Sequence, residues 1–254
     1  MDVIFLLGGI MNLETFKEKF RLYVSNYNMN DKAILRKFYH SYRVMDLCML
    51  IAQNSNFNDE DKEIAMLIGL LHDYARFEQW TKYKTYSDLN SVDHGDLAVK
   101  KLFDDKEIIN FCSNEEYYDE IYDAIKYHNK LSIPSNLSNH NINMCKLVRD
   151  ADKIDILYLF TINKELIEED NSEISSAVIE SFYKKESINY KDVKGLSDKI
   201  LLDLAFVFDI NYDYSFKYIK NQKLIEKIFE NINNKEKFRV YFEFVIDYIN
   251  ERVK

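Results

Sequence analysis

Apolar residues recur at three- and four-residue steps along most of this chain, the spacing of one buried helix face. In "LETFKEKFRLYVSNY", Leu13, Phe16, Phe20, Leu22 and Tyr23 fall near one side. "NDKAILRKFYHSYRVMDLCMLIAQ" repeats the pattern with Ile34, Leu35, Phe38, Tyr42, Met45, Met49 and Ala52, and Asn30 is placed to cap it. "NDEDKEIAMLIGLLHDYARF" reads as one helix capped by Asn58 or Asp59, with acidic residues in the first turn where they favour the helix dipole. A polar, Tyr-rich loop, "TKYKTYSDLNSVD", leads to a short helix, "HGDLAVKKLF". A longer helix, "NEEYYDEIYDAIKYHNK", ends near His128, and "KLSIPSNLSNHNIN" reads as a loop. "MCKLVRDADKIDILYLFTINKEL" is a strongly apolar helix that carries Asp150, Asp152 and Asp155. Four more helices follow: "SEISSAVIESFYKK", "LSDKILLDLAFVF", "DYSFKYIKNQKLIEKIFENI" and "KEKFRVYFEFVIDYINERV".

Composition agrees with an all-α fold. Five Gly and one Pro, Pro134, among 254 residues leave little turn chemistry for a sheet protein. The 19 Tyr and 17 Phe can fill a sizeable core. "EEDNSE" is the one charge-rich break, too short to separate independent domains. The expected organisation is a helical core over 12–165, with C-terminal helices over 166–254 packed on it in the same domain. Those helices could shape a pocket entrance or form the face of a homo-oligomer.

Charge narrows the range of partners. The formal net charge of -9 argues against a nucleic-acid or membrane-surface binder, which would show a basic face. Cys48, Cys112 and Cys145 are widely spaced without a CxxC pair, as in small buried hydrophobes of a reducing compartment. The apolar stretch "MDVIFLLGGIM" is shorter than the ~20 residues that span a bilayer and lacks a basic leader. It reads either as sequence ahead of a natural start at Met11 or as an apolar segment packed on the core. The expected location is cytoplasmic.

Chemistry concentrates in the first two thirds of the chain. "IAMLIGLL" runs directly into His72 and Asp73, and a buried imidazole and carboxylate are costly without partners. Three more histidines have suggestive contexts: His40 in "FYHSYRV", His94 in "VDHGDLAV" and His128 in "IKYHNK". His140, in a polar stretch, reads as an ordinary side chain. Asp152 sits in "RDADKIDIL" within an apolar helix. Each residue alone is a weak signal, because an isolated histidine on an apolar face is usually a hydrogen-bonded core residue.

The order His, His-Asp, His, His, Asp over residues 36–157 resembles the HD-domain superfamily of metal-dependent phosphohydrolases. "LLHDYARFEQW…VDHGDLAVKKLF" is similar to a group of bacterial HD proteins, many having "HDIGRFEQ"; Tyr74-Ala75 replace "IG", a change that concerns packing. The resemblance implies an all-α helical bundle and a divalent ion (Mn, Fe, Ni, Zn or Mg) held by His40, His72, Asp73 and Asp152. Asp150 is the runner-up to Asp152. Two imidazoles and two carboxylates make a mixed N/O set that suits such ions. His94 and His128 match histidines that bind a second metal in part of the family; they could equally contact phosphate. The "HHE" and "GYP" elements of the cyclic-dinucleotide branch are absent, with "HNKLSIP" in their place.

The activity so implied is hydrolysis of a nucleotide or other small phosphate ester by a metal-activated water, with Asp73 orienting that water. The alternative is a non-catalytic nucleotide- or metal-binding regulatory module. Arg76, one turn beyond the His-Asp pair, could grip a phosphate or form an ion pair with Glu78 or Asp88. Lys130 and Lys153 are further phosphate candidates, and Trp80, Tyr83 and Tyr86 could stack on a base.

Overall fold

A computed structural model describes residues 13–164, 167 and 171–253. The stretch ahead of the candidate start at Met11 lies outside the described residues, as does part of "EEDNSE". All regular structure among the described residues is helical. The chain forms two compact units that divide between Ala151 and Asp152, inside one unbroken helix.

The first unit begins with α1 (Leu13–Val24), α2 (Lys32–Gln53) and α3 (Asp59–Leu71). Phe16, Phe20 and Val24 of α1 are buried, whereas Leu22 is 62% exposed and leaves the expected face. The cap of α2 is Asp31 rather than Asn30: its carboxylate accepts from Ala33 N at 2.9 Å and from Trp80 Nε1 at 2.8 Å. Asn58 caps α3, accepting from Asp61 N at 2.8 Å. Helices α2 and α3 approach closely because Gly69 has no side chain. A Cβ there would lie 2.7 Å from Cys48 Sγ and 2.9 Å from Met45 Cα.

The single helix expected through "LLHDYARF" is two helices with a turn between them. Helix α3 stops at Leu71, and α4 (Arg76–Tyr83) starts after His72–Ala75. Tight backbone bonds, Tyr74 N to Leu71 O at 2.9 Å and Arg76 N to Asp73 O at 3.0 Å, make the turn. Tyr74 anchors it from behind. Its ring stacks on Tyr23 at 3.8 Å, and its hydroxyl donates to Glu107 at 2.6 Å. Tyr23 in turn donates to Tyr74 O at 2.8 Å.

Helix α5 (His94–Val99) is capped by Asp93, which accepts from Asp96 N at 3.0 Å, and α6 (Tyr118–Tyr127) packs against it. Helix α7 (Asn139–Ile162) starts within the stretch read as a loop, so His140 is helical; it pairs with Glu120. As far as Ala151, α7 belongs to the first unit and buries Met144, Cys145, Leu147, Val148 and Ala151.

The second unit takes the rest of α7 with α8 (Ser176–Tyr183), α9 (Leu196–Leu204), α10 (Asp213–Asn221), α11 (Leu224–Asn231) and α12 (Lys235–Arg252). Leu157, Phe182, Leu201, Phe216, Phe238 and Phe242 are among its buried residues. Among its described residues, the most deeply buried acid is Asp198, which accepts from Ser175 N at 2.6 Å, Ser175 Oγ at 2.7 Å and Lys194 N at 2.8 Å. Among the described residues, no helix is long and apolar enough to cross a membrane. The three cysteines are buried.

Candidate functional site

The turn after α3 aims His72 and Asp73 in one direction. Adjacent residues on a helix diverge by about 100°; leaving the helix at His72 removes that constraint. Asp73 is 2% exposed, and its two oxygens face different partners. Oδ2 lies 3.4 Å from His40 Nε2 and 3.5 Å from His72 Nε2. Oδ1 lies 3.5 Å from His94 Nε2 and 3.8 Å from His128 Nε2. Four imidazoles from α2, the end of α3, α5 and the end of α6 therefore converge on one carboxylate. All four are buried.

The outward ring nitrogens show what the inward ones are. His72 Nδ1 lies 2.7 Å from Gly69 O, and His128 Nδ1 lies 2.6 Å from Ile125 O. A carbonyl can only accept, so both Nδ1 atoms carry the proton. His94 Nδ1 donates to the Asp88 carboxylate at 2.7 Å. In the neutral rings, each Nε2 then presents a lone pair. Yet Nε2 of His94 is 2.9 Å from Nε2 of His128, and Nε2 of His40 is 3.2 Å from Nε2 of His72. For His94 and His128, facing lone pairs at that distance call for a cation. Each pair with one Asp73 oxygen makes a set of two imidazoles and a carboxylate that suits a divalent metal.

Charge balance points the same way. Burial alone would push the Asp73 carboxyl up, but the Lys37 ammonium beside it outweighs that and holds it well below the usual carboxylate range. Burial, with help from Arg76, lowers His94 despite Asp88, so that ring stays neutral near pH 7.

A hydrogen-bonded frame surrounds the cluster. Arg76 bonds Asp73 Oδ1 through Nε at 3.3 Å, and Nη1 reaches Gln79 Oε1 at 2.6 Å, Tyr86 O at 2.7 Å and Asp88 at 3.1 Å. Of its two alternative roles, the Asp88 ion pair is therefore present, whereas Glu78 pairs with Lys101 at 2.9 Å. Fully buried Gln79 donates to Asp88 at 2.9 Å, Ser91 at 2.9 Å and Val92 O at 3.0 Å. Asn129 Nδ2 bonds Asp88 at 3.1 Å and Asp93 at 3.0 Å. Gly95 makes room for it, since a Cβ there would lie 2.6 Å from Asn129 Oδ1.

Other candidates have protein partners as well. Lys130 pairs with Asp93 at 2.5 Å and Asp96 at 3.1 Å. Lys153 pairs with Asp209 at 2.7 Å in the second unit. Trp80 and Tyr86 pack on each other at 4.9 Å, and Tyr86 donates to Ala33 O at 2.9 Å, so both rings have structural work. Asp150 is fully buried in the first unit. Asp152 opens the second on the same helix, one turn past Val148 and Arg149.

Three further residues of the site were not candidates from the sequence. Lys37 pairs with Asp73 Oδ2 at 2.6 Å, and lies three residues before His40 on the same helix face. Gln79 and Asn129 bind no candidate metal position. Asn129 could have been suspected from its place directly after His128.

The model for the HD domain matches residues 38–157. No curated protein and no solved structure matches the chain. HD domains are typically metal-dependent hydrolases, and the buried His/Asp groups here are compatible with a divalent ion. The matched stretch, residues 38–157, holds all four converging histidines and Asp73, and the match supports HD-domain superfamily membership.

Proposed function

We propose that this protein is a metal-dependent phosphohydrolase that hydrolyses a nucleotide or other small phosphate ester, with His40, His72, His94, His128 and Asp73 as the residues that would hold divalent metal. The observation that carries the reading is the division of labour on Asp73, whose Oδ2 faces His40 and His72 and whose Oδ1 faces His94 and His128. His40 and His72 would hold one ion, and His94 and His128 the other. Asp152 is the proposed further ligand. Arg149, one turn before it, is pinned to the backbone beside this site, donating to Tyr127 O at 2.9 Å. Divalent metal held by these residues would lower the pKa of a water and neutralise charge on a phosphoryl group.

The chain's own residues would do the rest. Gly69 O and Ile125 O keep the Nδ1 protons of His72 and His128, so their Nε2 atoms remain basic. Asp88 does the same for His94. Arg76 locks the Asp73 carboxylate and the loop through Asp88 in one arrangement, and its charge also reaches an anion bound beside Asp73. The site is buried enough that these charges act at low effective dielectric.

The test is a panel of phosphate monoesters, diesters and nucleotides, assayed with and without added divalent ions. Metal-dependent release of phosphate or nucleoside by the wild type, lost in His72→Ala and Asp73→Asn, supports the reading. Metal binding without turnover on any member would favour the non-catalytic module.

A further inference from the structure

We propose that Lys37 grips a phosphate oxygen of the substrate and thereby makes metal binding and phosphate binding reinforce each other. This rests on the metal-dependent reading above. Lys37 and His40 lie one turn apart on α2, and both reach the same atom. Lys37 Nζ is 2.6 Å from Asp73 Oδ2, and His40 Nε2 is 3.4 Å from it. His72 Nε2 is 3.5 Å away on another side. The ammonium therefore shares the oxygen that the His40–His72–Asp73 group would offer a metal.

Two cations on one buried oxygen repel each other, and a site this buried screens them weakly. An anion placed against both removes that repulsion. Lys37 is suited to this move: its side chain is 17% exposed against 2% for Asp73, and its four-carbon stem is flexible. Among the described residues, Asp73 is the carboxylate it pairs with, and its other neighbour is the face of Tyr86 at 5.8 Å. Arg76 contacts the same ring at 5.7 Å, but its Nη1 already serves Gln79, Tyr86 O and Asp88. Lys37 is thus the cation beside Asp73 that can turn to an incoming phosphate without dismantling the frame.

The consequence is a linkage. Metal alone binds against the charge of Lys37, and phosphate alone binds against the charge of Asp73. Together each offsets what opposes the other, and by reciprocity phosphate tightens metal as much as metal tightens phosphate.

The experiment titrates Mn²⁺ into the metal-stripped full chain, reading free Mn²⁺ by electron paramagnetic resonance. Titrations run with and without inorganic phosphate, and protein-free samples correct for Mn²⁺–phosphate complexes. In the wild type, phosphate should lower the Mn²⁺ dissociation constant by about tenfold. In Lys37→Met, Mn²⁺ alone should bind more tightly than to the wild type and phosphate should add nothing, whereas Lys37→Arg should keep the phosphate effect. Should Lys37→Met fail to fold, Lys37→Gln, which can still donate to Asp73, carries the same comparison. A phosphate effect of wild-type size in the uncharged variant overturns the proposal, as does weaker Mn²⁺ binding by that variant without phosphate. A wild type that binds Mn²⁺ with no phosphate effect overturns the role of Lys37 alone; one that binds no divalent ion overturns the metal-dependent reading with it.

Discussion

The Nε2 atoms of His94 and His128 face each other at 2.9 Å while both rings spend their Nδ1 protons on other acceptors, Asp88 and Ile125 O. Without a cation, this arrangement costs folding energy; with one, it becomes a ligand pair. Bound metal should therefore stabilise the fold by mass action, worth about 2.7 kcal/mol at a hundredfold excess over the dissociation constant. Chelation should lower the melting temperature by about 5–10 °C in differential scanning calorimetry. A melting temperature indifferent to chelator and to re-added metal would contradict it.

The close approach of α2 and α3 makes Gly69→Ala a test of how the site is placed. The added methyl would press on Cys48 Sγ and on the Met45 backbone, neither of which is the end of a flexible chain. Overpacking of this kind costs about 1–3 kcal/mol. It would also move Gly69 O, the acceptor that orients His72. Denaturant unfolding should show the loss of stability, and metal affinity should fall with it. Wild-type stability and affinity in Gly69→Ala would mean that the two helices have slack.

Helix positions, apolar faces and the family-bearing histidines were legible in the sequence because each depends on local spacing. What was not legible depends on tertiary contact. Asn30 and Asp31 are both good caps, and the interaction of Asp31 with Trp80, far along the chain, helps select between them. "LLHDYARF" keeps a helical apolar pattern through Phe77, so the turn at His72–Ala75 is hidden; the Tyr74 contacts with Tyr23 and Glu107 accompany it. Lys37 looks like any solvated lysine on a helix until Asp73 is seen opposite it.

Arg76 joins Asp73, Gln79, Tyr86 O and Asp88, and Arg76→Ala would leave two buried or half-buried carboxylates short of a cation. Removing one partner of such a network costs about 3–5 kcal/mol. Lysine restores the charge but not the planar fork, so Arg76→Lys should recover only part of the stability. Chemical denaturation of the three proteins checks this; equal stability of Arg76→Ala and wild type would refute the clamp.

Asp198 predicts a pH dependence in the second unit. Burial would push its carboxyl up, but bonds from the Lys194, Ser175 and Gly195 backbone and from the Ser175 hydroxyl outweigh it and hold it below the usual carboxylate value. A depressed folded-state pKa gives stability that is present above the unfolded pKa and lost as pH falls through the folded one. Asp198→Asn should lose about 1.5–3 kcal/mol at pH 7, from bonds to a charged acceptor. The gap from wild type should narrow as the pH falls below about 4. Denaturant melts across that range test it, and a gap that stays constant or widens in acid would contradict it.

Counting metal per chain tests the central claim most directly. Inductively coupled plasma mass spectrometry on protein reconstituted with Mn²⁺ and freed of excess should find two ions in the wild type. One should remain in His94→Ala, and neither should be retained in Asp73→Asn at wild-type affinity, because Asp73 would serve both under the proposal. Two ions in His94→Ala, or full occupancy in a folded Asp73→Asn, would contradict a centre bridged by Asp73.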